Sequence, residues 1–106
     1  MSSGKDINLS NDSGYEHCIL IVDDEDSILN AFKRILADEN YDVHVANSGL
    51  EGLNKLRSAT KPYSIIISDQ RMPEMSGVQF FSKAKEIFPD AIRILLTGYA
   101  DSDAII

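Results

Sequence analysis

Three features are scarce in this sequence of 106 residues: cysteine, basic side chains and long hydrophobic runs. The single cysteine, Cys18, cannot form an intramolecular disulfide. Ten basic side chains stand against seventeen acidic ones, which gives a formal charge of −7. This balance argues against nucleic acid and anionic membrane surfaces as partners, because both are bound mainly through lysine and arginine.

The hydrophobic runs are too short to cross a bilayer, since none approaches the ~18 residues of a membrane span. The polar N-terminus also lacks the charged-then-apolar layout of a secretory signal. We therefore expect a cytoplasmic protein.

The hydrophobic residues that are present make up 43% of the chain, too many for a disordered protein, and 106 residues suit one compact domain. Residues 1–16 are rich in serine and asparagine and have no apolar period, so we predict a flexible leader there. Residues 17–106 are predicted to form the domain. Cys18 begins an apolar run, which indicates a buried strand position more than a reactive or metal-bound thiol.

From Cys18 onward, short apolar runs alternate with longer segments of helical spacing. This alternation is typical of βα units in a parallel sheet that is buried on both faces. The runs predict four strands, at residues 18–22, 43–46, 64–68 and 92–96. The segments between them predict three helices, and a fourth begins near Asp101.

The three predicted helices have recognisable starts and apolar sides. Ser48 with Glu51, and Ser76 with Gln79, have the spacing of a capping box. The apolar sides are expected to be buried. They consist of Ile28, Phe32, Ile35 and Leu36 in the first helix, Leu50, Leu53 and Leu56 in the second, and Val78, Phe81, Ala84 and Phe88 in the third.

Acidic and hydroxyl side chains follow three of the predicted strands. Asp23 and Asp24 come directly after the first strand, Asp69 after the third and Thr97 after the fourth. In an open parallel sheet, ligands bind outside the carboxyl ends of the strands. We therefore expect these four side chains to share one edge of the sheet.

Carboxylates gathered at one edge repel one another unless a cation intervenes, and an all-oxygen cluster suits a hard divalent ion. Mg²⁺ is the candidate, because it uses one or two protein carboxylates and completes its shell with water and phosphate oxygens. Asp69 is the predicted nucleophile, since a carboxylate can accept a phosphoryl group to form an aspartyl phosphate. Asp24, with Asp23 beside it, would hold the metal, and Thr97 would donate its hydroxyl to a phosphoryl oxygen.

Three motifs together resemble the receiver domain of bacterial two-component response regulators. They are Ile-Leu-Ile-Val-Asp-Asp at 19–24, Ser-Asp-Gln-Arg-Met-Pro at 68–73 with Gly77, and Leu-Leu-Thr-Gly at 95–98. The resemblance extends over residues 18–106. It implies a flavodoxin-like, CheY-like α/β fold, a doubly wound parallel sheet with strand order 2-1-3-4, in which the family's fifth strand and helix are missing from this chain.

The resemblance also implies a function and a set of roles. Such domains accept a phosphoryl group from a phosphohistidine on a sensor histidine kinase or phosphotransfer protein, and they signal to an output domain or partner. By position, Asp69 is the phosphoacceptor, Asp23 and Asp24 bind Mg²⁺ with it, and the backbone carbonyl of Arg71 is a further ligand. Thr97 is the switch hydroxyl. The resemblance implies that this chain is not an enzyme, apart from catalysing its own phosphorylation and dephosphorylation.

Two features of the family are absent from the sequence. Receiver domains carry a lysine after strand five and an aromatic residue on that strand, and neither Lys83, Lys85 nor Tyr99 stands at a matching position. Efficient phosphorylation of this chain alone is therefore in question. The fourth strand would also become an edge of the sheet, so we expect self-association through it.

Two other functions stay open from the residues alone. The same fold could serve as an interaction module that needs no phosphorylation. Alternatively, Asp24-Glu25-Asp26 with Thr97 resembles the motifs of haloacid-dehalogenase-like phosphatases, although Glu25 and Asp26 are also the charges expected where a helix begins. His17 and His44 lie on different predicted strands, and no metal site is expected from them.

Overall fold

A computed structural model of the chain describes Gly14 and residues 17–98. Residues 17–98 contain four strands, β1 (His17–Val22), β2 (Tyr41–Ala46), β3 (Ile65–Asp69) and β4 (Ile92–Leu96), and three helices, α1 (Asp26–Ile35), α2 (Gly49–Arg57) and α3 (Gly77–Ile87). The rest of the predicted leader, Tyr99 and the start of a fourth helix lie outside the described residues. None of the helices in the described part of the chain is long and apolar enough to span a membrane.

The four strands form one parallel sheet in the order β2-β1-β3-β4, which confirms the predicted topology. Val22 at the end of β1 is in register with Ala46 of β2 and Ser68 of β3. Asp69 at the end of β3 is in register with Leu96 of β4. The carboxyl ends of all four strands therefore lie along one edge of the sheet.

The two faces of β1 explain its continuous apolar run. Successive side chains of a strand point to opposite faces, and a central parallel strand is covered on both. One buried cluster contains Cys18, Leu20 and Val22 together with side chains of α2 and α3. The other contains Ile19 and Ile21 with Leu29 of α1. Alternate side chains of the apolar run thus fill the two cores, one on each face of the sheet.

The predicted apolar sides of the helices were wrong at three positions. Ile35, Leu50 and Val78 are 71%, 60% and 46% exposed, respectively. The buried stripes lie beside them, and their central residues include Leu29 in α1 and Phe80 in α3. A helix is apolar over an arc wider than the part that contacts the sheet, so the period of the sequence indicates that a stripe exists but does not locate its centre.

Of the two predicted capping boxes, the one at Ser76 and Gln79 is confirmed, whereas at Ser48 only half of the box is present. The Oγ of Ser76 accepts a hydrogen bond from the Gln79 N–H (3.2 Å), and Gln79 Oε1 accepts one from the Ser76 N–H (2.9 Å), which makes a complete capping box. At α2, Ser48 Oγ accepts from the Glu51 N–H (3.0 Å). The Glu51 carboxylate accepts instead from the N–H of Asn47 (2.6 Å), one residue earlier than in a capping box.

Gly77 is the position where α3 passes closest to the end of β3. A Cβ atom there would lie 2.5 Å from the backbone oxygen of Asp69 and 2.6 Å from Leu95 Cδ1. The Gly77 N–H also donates to the backbone oxygen of Gln70 (3.1 Å). Glycine is therefore required for this close approach of helix to strand.

We expect Gly77→Ala to lower the free energy of unfolding by about 1–3 kcal/mol, the range for overpacking a close contact. Urea denaturation followed by circular dichroism measures it. Gly49→Ala is the matched control, since its Cβ would meet the half-buried side chain of Met75, which can move, and not a backbone carbonyl. A loss no larger for Gly77→Ala than for Gly49→Ala would contradict the requirement.

Candidate functional site

The carboxyl edge of the sheet brings three predicted carboxylates together. Because Val22 pairs with Ser68, the residues that follow them, Asp23 and Asp69, lie next to each other. Carboxylate oxygens of Asp23, Asp24 and Asp69 all lie within 4.8 Å of one another. We call these three residues the acidic cluster.

Asp23 is the buried member of the acidic cluster, with 5% of its surface exposed. Its backbone N–H continues the sheet by donating to the Ala46 oxygen (3.1 Å), and its Oδ1 accepts a hydrogen bond from the Glu25 N–H (2.9 Å). Burial raises the pKa of the Asp23 carboxyl, and the charges of Asp24 and Glu25 raise it further, against the opposing effect of that hydrogen bond. Keeping the Asp23 carboxyl ionised therefore lowers the stability of the folded chain.

The acidic cluster fits a hard divalent cation. Its donors are all carboxylate oxygens, the ligand type that suits Mg²⁺ and Ca²⁺. A cation between them would attract each carboxylate and so offset the burial and the neighbouring charges that raise the pKa of Asp23. Asp24 is exposed and Asp69 is half-buried, so the cluster is open to water and to a phosphate group on one side.

The loop after Asp69 is fixed by its neighbour Gln70, a residue whose structural role the sequence did not indicate. The Gln70 N–H donates to the Leu96 oxygen (3.0 Å), and its Oε1 accepts from the Val78 N–H (3.0 Å). Gln70 therefore ties the end of β3 to β4 and to the first turn of α3. Arg71 follows directly and has an exposed side chain, and the role of its backbone carbonyl as a ligand stays a prediction.

Thr97 lies at the same edge of the sheet as the acidic cluster. It follows Leu96, which is in register with Asp69, and it is half-buried. The structure therefore places a hydroxyl one residue beyond the strand pair that carries Asp69. Its role as a switch hydroxyl stays a prediction.

The two histidines lie on different strands, and each has polar neighbours that the sequence did not indicate. The ring Nδ1 of His17 lies 3.2 Å from Ser64 Oγ. His44 contacts Cys18 and Asp42, and these three side chains form a second group with metal-ligating atoms within 4.8 Å of one another. Period-two spacing on two paired strands is the signal that could have revealed it.

Comparison with known proteins gives a consistent result. The family model for the response regulator receiver domain matches residues 19–106. The hydrogenase transcriptional regulatory protein HoxA of Cupriavidus necator is 40% identical over 88 residues, which are 83% of this chain and 18% of HoxA. The chain therefore spans less than a fifth of that relative's length.

Two solved structures are similar over most of the chain. A response regulator receiver domain protein from Clostridium thermocellum has 34% identity and a TM-score of 0.78, covering 84% of this chain and 71% of that one. The response regulator protein TrrA from Thermotoga maritima, solved in complex with Mg²⁺ and BeF, has 35% identity and a TM-score of 0.74, covering 84% and 76%.

The repulsion at Asp23 predicts a stability change that can be measured. Asp23→Asn keeps an oxygen that can accept from the Glu25 N–H but removes the buried charge, so we expect the Tm of the metal-free protein to rise by a few degrees at neutral pH. Because folding favours the protonated carboxyl, the gain should vanish in solutions more acidic than its ordinary pKa of 3.8. Thermal unfolding with a chelator present measures it.

The matched control is Asp38→Asn, which removes one exposed charge outside the acidic cluster. With Mg²⁺ added, the wild type should gain stability and Asp23→Asn should gain less, since binding to the folded state stabilises it. An Asp23→Asn protein no more stable without metal than Asp38→Asn would show that the buried charge is not destabilising.

Proposed function

The chain belongs to the response regulator receiver domain family, and on that premise we propose that it accepts a phosphoryl group on Asp69 from a phosphohistidine, with Mg²⁺ held by the acidic cluster. The observation that carries this proposal is the grouping of three carboxylates, one of them at the end of the central strand β3. The haloacid-dehalogenase-like alternative has no support from the family match.

The proposed transfer moves one phosphoryl group between two nucleophiles. An Asp69 carboxylate oxygen forms a bond to phosphorus while the phosphorus–nitrogen bond to the donor imidazole breaks, and the electron pair of that bond stays on the imidazole. Asp69 suits this step because it is half-buried at a strand end and fixed by the neighbouring Gln70. The product is an aspartyl phosphate.

The remaining residues have supporting roles in this proposal. Asp23 and Asp24 hold the cation, with the backbone carbonyl of Arg71 as a further ligand. Bound Mg²⁺ neutralises charge on the phosphoryl oxygens. Thr97 donates its hydroxyl to a phosphoryl oxygen after transfer, which moves the loop after β4 and changes the surface that a partner contacts.

Support for the metal and the phosphoryl group comes from a relative. TrrA of Thermotoga maritima was solved with Mg²⁺ and BeF, and it is similar to this chain over the described fold. Support for an output comes from HoxA, a transcriptional regulatory protein of which the matched region is 18%. We propose that this chain likewise receives its signal from a sensor kinase or phosphotransfer protein in the cytoplasm and passes it to an output domain or partner.

Acetyl phosphate with Mg²⁺ should add one phosphoryl group to the wild-type chain and none to Asp69→Asn, measured as intact mass. Asp26→Asn is the matched control, because Asp26 is an exposed acid at the first turn of α1 and should leave the adduct intact. An adduct that persists on Asp69→Asn would refute Asp69 as acceptor. Absence of an adduct on the wild type would favour an interaction module that works without phosphorylation.

We also propose that β4 mediates self-association. In residues 17–98, β4 pairs with β3 on one side and with no strand on the other. Its Ile92 and Ile94 are 61% and 42% exposed, and they project from the same face of the strand. An exposed apolar edge strand is a template for pairing with a second chain.

Light scattering over a range of concentrations should show a mass that rises above that of the monomer. Ile94→Lys should shift the association to higher concentration, because a lysine on an edge strand disfavours pairing. Ile35→Lys is the matched control, since Ile35 is equally apolar and more exposed but lies on α1. An equal effect of both substitutions, or a monomeric wild type throughout, would contradict the role of β4.

A further inference from the structure

Within β1 and β2 lies a second group of metal-ligating side chains, away from the carboxyl ends that carry the acidic cluster. Cys18 of β1 is in register with Asp42 of β2, and His44 follows Asp42 by two residues on the same face. Cys18 and Asp23 are five residues apart along β1, or about 16 Å at ~3.3 Å per residue. The two groups are therefore separate.

The distances within this second group match the geometry of one metal ion. The Cys18 Sγ lies beside the His44 ring, 3.9 Å from Nε2 and 4.0 Å from Nδ1, so the cysteine side chain must rotate to reach the Nε2 lone pair. His44 Nε2 lies 3.1 Å from Asp42 Oδ1. Around a tetrahedral Zn²⁺ with ordinary bond lengths, sulfur–nitrogen and nitrogen–oxygen separations are about 3.5 Å and about 3.3 Å. Both observed distances differ from these by only a few tenths of an ångström, which side-chain rotation can supply.

We propose that Cys18, Asp42 and His44 form a binding site for Zn²⁺, with water as the fourth ligand. Thiolate, imidazole and carboxylate are all zinc ligands, and three protein ligands plus water is a known zinc coordination. Cys18 is buried while His44 and Asp42 are half-exposed. The open side for the water and for entry of the ion is therefore the side of β2.

Tyr63 orients the imidazole in this proposal. Its hydroxyl lies 2.6 Å from His44 Nδ1, and its ring packs edge-on against the imidazole at a centroid distance of 5.4 Å. In the tautomer that carries the proton on Nδ1, this N–H donates to the Tyr63 oxygen and leaves the Nε2 lone pair, 3.1 Å from Asp42 Oδ1, able to bind a metal ion. A second hydrogen-bond partner of this kind is what holds metal-binding histidines in place.

The charges of the group suit a divalent cation. Burial, together with the nearby Asp42 carboxylate, raises the pKa of the Cys18 thiol to about 11, so the thiol is protonated when no metal is bound. Binding of Zn²⁺ would replace that proton, which leaves to solvent, and the thiolate and carboxylate charges would then balance the ion. Lys61 Nζ lies 3.9 Å from Asp42 Oδ2, whereas the Asp42 oxygen that lies 3.1 Å from His44 Nε2 is Oδ1.

The test is a titration of the reduced 106-residue chain with Co²⁺, followed by displacement with Zn²⁺. We expect one equivalent of Co²⁺ to give a thiolate-to-metal charge-transfer band together with the intense visible bands of tetrahedral Co²⁺, and one equivalent of Zn²⁺ to remove both. Excess Mg²⁺ should leave them unchanged, because a thiolate and an imidazole are poor ligands for a hard ion.

Four variants distinguish metal binding at this site from binding at the acidic cluster. Cys18→Ala should abolish the charge-transfer band, and His44→Gln should weaken binding by more than about 100-fold, since each loses a direct ligand. Tyr63→Phe keeps all three ligands and should weaken binding by about 10–100-fold with the band retained. Asp24→Asn should bind as the wild type does, because it alters only the acidic cluster. Circular dichroism shows whether each variant is folded.

The proposal fails if the folded wild type gives no charge-transfer band with Co²⁺. It also fails if a folded His44→Gln binds as tightly as the wild type, or if Asp24→Asn loses the band. Should Cys18→Ala and His44→Gln not fold, Asp42→Asn takes their place, because Asp42 is half-exposed at the start of β2. Unchanged affinity in that variant would equally overturn the site.

Discussion

The parallel register between β1 and β3 is the constraint on which the acidic cluster depends. Pairing of Val22 with Ser68 sets Asp23 beside Asp69, and both strands end there because a buried apolar run cannot continue through a carboxylate. A shift of one residue in this pairing would turn the side chains of a strand to the other face. It would separate Asp23 from Asp69 and exchange the β3 side chains that fill the two cores. Packing of the core and assembly of the cluster are therefore one requirement.

At this edge of the sheet, the charge that a cation site needs lowers the stability of the fold. Asp23 is buried next to two other acidic residues, and the rise in its pKa shows that the folded chain resists its charge. A stable fold would place an uncharged side chain here, whereas a cation site needs the charge. Residues that conflict with stability in this way are typical of functional sites. The close passage of α3 at Gly77 adds a second constraint, since it holds the Asp69 backbone against the first turn of the helix.

The two groups of metal-ligating side chains differ in the kind of ligand they offer. The carboxyl ends present the oxygen atoms of the acidic cluster, which suit Mg²⁺, while the paired interiors of β1 and β2 present sulfur, nitrogen and oxygen, which suit Zn²⁺. Both groups arise from the same two rules of parallel pairing, register and period-two alternation. The first group lies at strand ends, where ligands of open α/β sheets bind. The second is built into strand interiors, where a polar pair needs a specific partner such as Tyr63.

The alternation of strands and helices along the chain, the parallel sheet and the edge that carries Asp23, Asp24 and Asp69 could all be predicted from the sequence. These follow from periodicity and from residues at strand ends, which are local patterns. The burial of Phe80 and the exposure of Ile35 could not be predicted, because the centre of a helix stripe depends on the neighbour against which it packs. The contact between Cys18 and His44 across 26 residues could not be predicted either, since a contact between paired strands requires their register, and no local pattern contains it.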